Sequence, residues 1–355
     1  MLAIFARTTG GFMSRQATIK DVAREAGVST FTVSKALRNQ PHVAPETRKR
    51  VLRAAARLNY SASKSAAALV SGKTKRVALL IGEQITGWFN GNIQEGVYDV
   101  LSTHGYDLLI YRAGTSEERA AFFRNLPAKR NADAIIVVSF TLAQKETKAL
   151  QELDMPIVAI HSGATSFSQG SIRIDDCESE IEAVQHLASL GHTRFCFLDR
   201  FNPLPEYSWG ANQRIIGYKK AIDRYHLVDC GVLTMDPDRE HPARTAADRI
   251  ASMTPAPTAI CAWSDDCALA LLSELRQAEI RVPDVVSIMG FDSSDVAALA
   301  GLSSVAQPAR DIGAEAARKA LQLINGSPLT EPHTQVKTHI IDRATTGPAP
   351  RDEGR

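Results

Sequence analysis

Apolar residues return along the chain at two spacings, and the change of spacing divides it. Between Ala17 and Tyr60 they recur in threes and fours: Ile19, Val22, Ala23 and Ala26, then Val33, Ala36 and Leu37, then Val51, Leu52, Ala55 and Leu58. Each set lays one buried stripe on a short helix. The punctuation agrees. Thr18 and Asp21 form a capping-box-like pair before the first helix, and Gly27 supplies the left-handed residue that ends it. Ser29 caps the second helix, with Val28 and Val33 as a staple. Pro45 and Glu46 suit the first turn of the third.

From Arg76 the spacing changes to near-continuous apolar runs, "RVALLIGE", "YDLLIYRAG", "AIIVVSF" and "IVAIHSG". Helical stretches such as "GNIQEGVYDVLSTHG" and "LAQKETKALQELD" alternate with them. The alternation restarts after "SIRIDD", with strands predicted at "TRFCFLD", "CGVLTMD", "TAICAW" and "VVSIMGFD". Apolar strands separated by helices indicate a parallel sheet covered on both faces. The predicted fold is therefore an all-α helix-turn-helix headpiece followed by an α/β body of two doubly wound parallel-sheet subdomains. Any ligand belongs in a cleft at the carboxyl ends of the strands.

Charge sharpens this division. Residues 13–76 carry 14 Lys and Arg against 3 Asp and Glu, whereas residues 77–355 carry 26 against 36. A small basic unit joined to a large acidic one is the layout of a nucleic-acid binder with a regulatory body. Seen in that light, the outer face of the second helix acquires a use. Phe31, Ser34, Lys35 and Arg38 share it, and Thr30 adjoins them near the helix start. In a helix-turn-helix this edge faces the major groove, where lysine can donate to guanine O6 and N7 and an apolar group can meet the thymine methyl. Thr18, Ser29, Thr32, Ser34 and His42 are small or polar groups suited to phosphates.

Other chemistries find little support. Asp175–Asp176 and Asp265–Asp266 are adjacent carboxylates that tend to point apart, and Asp175 and Asp265 suit helix-start positions. There is no phosphate-binding glycine motif, no nucleophile elbow and no histidine pair at metal spacing, so neither an enzyme nor a cofactor or metal is expected. Five cysteines without a CxxC pair fit a reducing cytoplasm, and no apolar run approaches a membrane span.

The stretch "ATIKDVAREAGVSTFTVSKAL…PHVAPETRKRVLRAAARLNY" resembles the headpiece of the lactose repressor (LacI/GalR-type) family of bacterial transcription regulators. In the body, "LGHTRFCFL", "AICAWSDDCALALLSELRQAEIRVPDVVSIMGFD" and "VAQPARDIG" are similar to segments of the same family. The resemblance implies that Thr30, Phe31 and Lys35 read bases and that His42 contacts DNA. It implies a hinge helix in "SASKSAAALVSGKTKR", with Leu69 inserted into the minor groove, and a periplasmic-binding-protein-like effector domain. There Arg214 and Asp292 grip the effector, Phe89 lies in the first pocket loop beside Trp88, and Ser264 beside Trp263 replaces the usual Asn. Aromatics with a few polar groups suit a sugar.

The expected boundaries are an extension at 1–16, with Met13 a candidate start, a headpiece at 17–61 and a hinge at 62–76. The body follows at 77–347 and a tail at 348–355. The body divides into 77–175 plus 308–333 and 176–307 plus 334–347. The expected partners are a near-palindromic DNA operator, a sugar-like effector and a second copy of the chain. A soluble sugar-binding receptor is the alternative, which leaves the basic headpiece without a role.

Overall fold

The computed structural model describes residues 17–37, 41–60, 72–82, 84–126, 131–139, 141–162, 166–201, 210–236 and 239–351. Arg38 and Leu69, both expected to touch DNA, lie outside them. The chain forms two compact units, Met1–Thr74 and Lys75–Arg355.

In the first unit, α1 (Ile19–Ala26), α2 (Thr30–Leu37) and α3 (Pro45–Arg57) pack around a small core of Val22, Ala23, Ala26, Val33, Ala36, Val51, Ala54 and Ala55. Thr18 and Asp21 close a full capping box, and Gly27 sits at φ 61° in the left-handed region. Ser29 Oγ accepts the Thr32 amide at 3.1 Å, capping α2. Ala44, before α3, has no side-chain cap. The α3 stripe differs from expectation at one position. Leu52 is 49% exposed, and Ala54 takes the inward place. Three short helices leave room at their crossing for Ala54 rather than for the larger leucine.

The second unit contains two six-stranded sheets. The first runs β11-β5-β4-β3-β1-β2 and the second β12-β10-β9-β8-β6-β7. In the first, β1 (Arg76–Ile81), β2 (Asp107–Arg112), β3 (Ala134–Val138), β4 (Ile157–Ile160), β5 (Gly170–Arg173) and β11 (His333–Gln335) are all parallel. The second holds β6 (Arg194–Arg200), β7 (Val228–Met235), β8 (Ala259–Ala262), β9 (Ser287–Asp292), β10 (Ser303–Ala306) and β12 (His339–Ile341). Only the β10–β12 pairing is antiparallel among its described pairs.

The helices that cover the first sheet are α4 (Trp88–Thr103), α5 (Ser116–Asn125), α6 (Gln144–Gln151) and, late in the chain, α12 (Ala309–Ile324). Those of the second are α7 (Asp176–Ser189), α8 (Gly210–Arg224), α9 (Pro242–Ser252), α10 (Asp265–Gln277) and the short α11 (Asp295–Ala300). The chain thus leaves the first sheet after β5, returns to it for α12 and β11, and leaves again for β12. Strands β3, β4 and β8 are buried at every position, which is why they read as unbroken apolar runs. The interior strand β10 and the edge strands β11 and β12 were not expected from the sequence.

The tightest helix contact joins α4 to α12. A Cβ placed on Gly96 would lie 1.9 Å from the Arg310 carbonyl oxygen, and one on Gly313 would lie 2.3 Å from that of Ile93. Gly91, in the same helix as Gly96, faces open space. Gly96→Ala is therefore expected to destabilise the body by about 1–3 kcal/mol through overpacking. Gly91→Ala is expected to stabilise it by about 0.5–1 kcal/mol. Urea unfolding of the two variants checks both signs.

Candidate functional site

On the first unit, the capped start of α2 fixes which side chains face out. Phe31 is 67% exposed, and the Lys35 ammonium rests 4.7 Å from its ring centroid. Thr30 is exposed and Ser34 half-buried along the same edge. Thr32 and Ser29 share a 2.9 Å hydroxyl contact, and the Thr18 hydroxyl donates to Asp21 at 2.6 Å. His42 is exposed, with φ 68°. An exposed phenylalanine under a lysine, on a helix held by its inner stripe, presents an apolar surface and a cation together.

On the second unit, the polar groups gather where strands end. Arg200 closes β6, Trp263 follows β8, Asp292 closes β9 and Gln307 follows β10. His161 follows β4 of the other sheet. Arg214, on α8, is buried at the centre. Its Nε donates to Asp176 Oδ1 at 3.0 Å and its Nη1 to the Trp263 carbonyl at 2.5 Å. Its guanidinium lies 3.5 Å from the Phe291 ring centroid and 4.9 Å from that of Trp263, while Arg200 lies 3.7 Å from the Trp263 centroid. Asp176 also faces the His161 ring, Nδ1 to Oδ2 at 3.8 Å. His161 accepts the Ile174 amide on Nε2 and packs against Phe89 with centroids 4.9 Å apart. A line of contacts therefore runs from Phe89 through His161, Asp176 and Arg214 to Trp263.

Asp292 stands in an unusual backbone state, φ 117°, followed by Ser293 at φ 56°. Strain of this kind persists only where neighbours over-determine it. Here Gln307 Nε2 donates to Asp292 Oδ1 at 2.5 Å, Ser304 Oγ accepts the Ser293 amide and Arg343 Nη2 donates to Ser293 Oγ. Burial pushes the Asp292 carboxyl up to about 7, against the opposing pull of Arg214. Among the described residues, two buried polar atoms of this cluster have no hydrogen-bond partner, Gln307 Oε1 beside Asp292 and Trp263 Nε1 beside Arg214.

The expected positions fare differently here. Arg214 and Asp292 come to one place, but the ion-pair partner of Arg214 is Asp176 rather than Asp292. Trp88 and Phe89 stand in the first turn of α4, not in a loop, because the helix begins at Trp88. Ser264 is buried, and its hydroxyl caps α10 by accepting the Cys267 amide. Asp175 caps α7 as expected. Asp265 does not cap; it lies one residue inside α10 and accepts from the Ser294 amide and the Ser304 hydroxyl, both at 2.6 Å. His161, Asp176 and Gln307 were not expected. The adjacency of Asp175 and Asp176 was the one available signal, since neighbours that point apart leave one free to turn inward.

Comparison with known proteins decides the family. A model of bacterial regulatory proteins, lacI family, matches residues 18–63, and one of the periplasmic binding protein-like domain matches 184–346. The HTH-type transcriptional repressor PurR of Vibrio campbellii is 30% identical over 334 residues, which cover 93% of this chain and 98% of the relative. The chain belongs to the LacI family. It is a transcriptional repressor with an effector-binding domain, and not an enzyme. The solved transcriptional regulator CelR–cellobiose complex is 26% identical, with TM-score 0.66 over 93% of this chain and 99% of that one. The lac repressor dimer bound to operator and the anti-inducer ONPF has TM-score 0.80 at 22% identity, over 94% and 100% of the two chains, and shows the same fold.

The Asp265 brace carries a prediction for this LacI-family chain. Asp265→Ala orphans two buried donors beneath the Asp292 turn, at roughly 1–3 kcal/mol for each donor left unpaired. Asp266→Ala, at an exposed position, is expected to change stability by less than about 0.5 kcal/mol. Chemical denaturation of the pair separates the two carboxylates.

Proposed function

We propose that this repressor binds a near-palindromic operator as a dimer in the cytoplasm and is controlled by a sugar or sugar derivative bound among Arg214, Asp292 and Trp263. The observation that carries the ligand reading is the pair of unpartnered buried atoms beside them. Trp263 Nε1 offers a donor and Gln307 Oε1 an acceptor, and neighbouring ligand hydroxyls satisfy both. Buried polar groups otherwise find partners within the protein. Trp88 and Phe89 supply the apolar surface for a sugar face. A relative at 26% identity carries cellobiose in its solved complex, which supports this ligand class.

On DNA, Thr30, Phe31 and Lys35 read base edges, and Arg38 extends the same face. Thr18, Ser29, Thr32, Ser34 and His42 contact phosphates, and Leu69 enters the minor groove between half-sites. One recognition helix reads one half-site, so the second half needs a second copy. The effector domain offers apolar surface for it. Leu299 is 90% exposed on α11 with Val296 beside it, and Tyr98 and Ile110 are exposed on the first sheet's side. Effector binding then shifts the equilibrium between two arrangements by its differential affinity for them.

Selection from random duplexes tests the DNA part. The chain is expected to enrich an inverted repeat, and Lys35→Ala to lose roughly 1–3 kcal/mol of discrimination at one position in each half-site. Recovery of random sequence by the wild-type chain would overturn it. For the dimer, Leu299→Glu is expected to shift sedimentation toward monomer and weaken operator binding, without changing the fold seen by circular dichroism.

A further inference from the structure

Glu180 sits one helical turn after Asp176 on α7, so the two carboxyls share a face. It is 1% exposed, and among the described residues its Oε1 has no hydrogen-bond partner. Its helix is pressed against α8 at Gly217, where a Cβ would fall 2.9 Å from the Glu180 Cβ and 2.3 Å from the Cys177 carbonyl oxygen. The groups that face it are Arg214 from α8, Asp176 from its own helix and the Cys261 thiol from β8. His161 reaches the same cluster from the first sheet through Asp176.

Charge decides what this arrangement can do. Asp176, Glu180 and Asp292 all act on the single buried guanidinium of Arg214. Of these, Asp176 holds the direct ion pair. One cation can match one carboxylate at close range, and a further buried carboxylate without a partner is strongly disfavoured. Burial pushes Glu180 up to about 7, with Arg214 opposing, so both Glu180 and Asp292 keep protons on the acid side of neutrality.

We propose that Glu180 is a positioning residue for effector recognition, whose proton decides which carboxylate holds Arg214. With Glu180 neutral, Arg214 stays on Asp176 and the Trp263 carbonyl, aimed at the effector. Once ionised, Glu180 competes with Asp176 for the guanidinium and draws it off Trp263. Effector affinity then falls as pH rises through neutrality. The Cys261 thiol, itself held well above its usual range by burial, stays protonated throughout and donates to Glu180. The proposal rests on the reading of this cleft as the effector site.

The test needs no effector. In the full-length Trp88→Phe/Trp209→Phe chain, Trp263 is the remaining indole, and its emission is followed from about pH 5 to about pH 9. The expected result, read in Asp292→Asn so that Asp292 itself cannot titrate, is a transition with its midpoint near 7 that disappears when Glu180→Gln is added. A transition that survives Glu180→Gln in that background, or no transition in Asp292→Asn alone, overturns the proposal. Infrared difference spectra guard against a folding defect in the variant. On the acid side of the midpoint, the wild-type chain is expected to show, beside the Asp292 signal, a protonated-carboxyl band that Glu180→Gln lacks and Glu180→Asp restores. Absence of that band from the wild-type chain also overturns it. Failure in either readout removes the proton switch and leaves the ligand reading intact, whereas the ligand reading fails separately if no sugar binds.

Discussion

The buried pairing of Arg214 with Asp176 is the constraint around which the effector domain is built. A guanidinium this far from water needs a carboxylate, and losing either partner leaves an uncompensated buried charge. Asp176 opens α7, the first helix after the chain leaves the first sheet at β5, while Arg214 comes from the next helix. Their contact ties the crossover to the second sheet. Phe291 and Trp263 then cover the guanidinium, and the Trp263 carbonyl takes one of its donors. His161, at the end of β4, links the same aspartate back to the first sheet. A single ion pair thus fixes the cleft floor and the residues that join its two walls.

The headpiece solves a different problem. Its core is almost wholly valine and alanine, too small to define helix positions by burial alone. The capping box at Thr18, the left-handed Gly27 and the Ser29 cap set where α1 ends and α2 begins. That fixes the rotation of α2, and with it the exposure of Phe31 and the place of Lys35 beside it. The turn chemistry and the outward face of α2 are therefore one property of the sequence.

Much of this was legible in the order of residues, for identifiable reasons. The helix ends of the headpiece follow from local capping, which acts within four residues. The buried strands β1, β3, β4 and β8 follow from unbroken apolar runs. What escaped depends on distance along the chain. The edge strands β11 and β12 have three residues each and exist through their partners. The inward turn of Asp176, the Ser294 and Ser304 donors on Asp265, and the facing of Glu180 to Arg214 bring together residues dozens of positions apart, with no periodic signature. Leu52 misled because an apolar residue at helical spacing reads as core, whereas the crossing of three short helices admits Ala54 there.

The measurement that bears most directly on the ligand reading is the melting temperature of the intact protein against a panel of mono- and disaccharides, cellobiose included, with Asp292→Asn in parallel. A ligand that binds the native state alone raises the melting point in proportion to its occupancy. The expected result is a rise with at least one sugar in the wild-type chain that is largely lost in Asp292→Asn. A sugar that stabilises both chains equally, or a panel that stabilises neither while operator binding persists, would contradict the placement of the effector at Arg214 and Asp292.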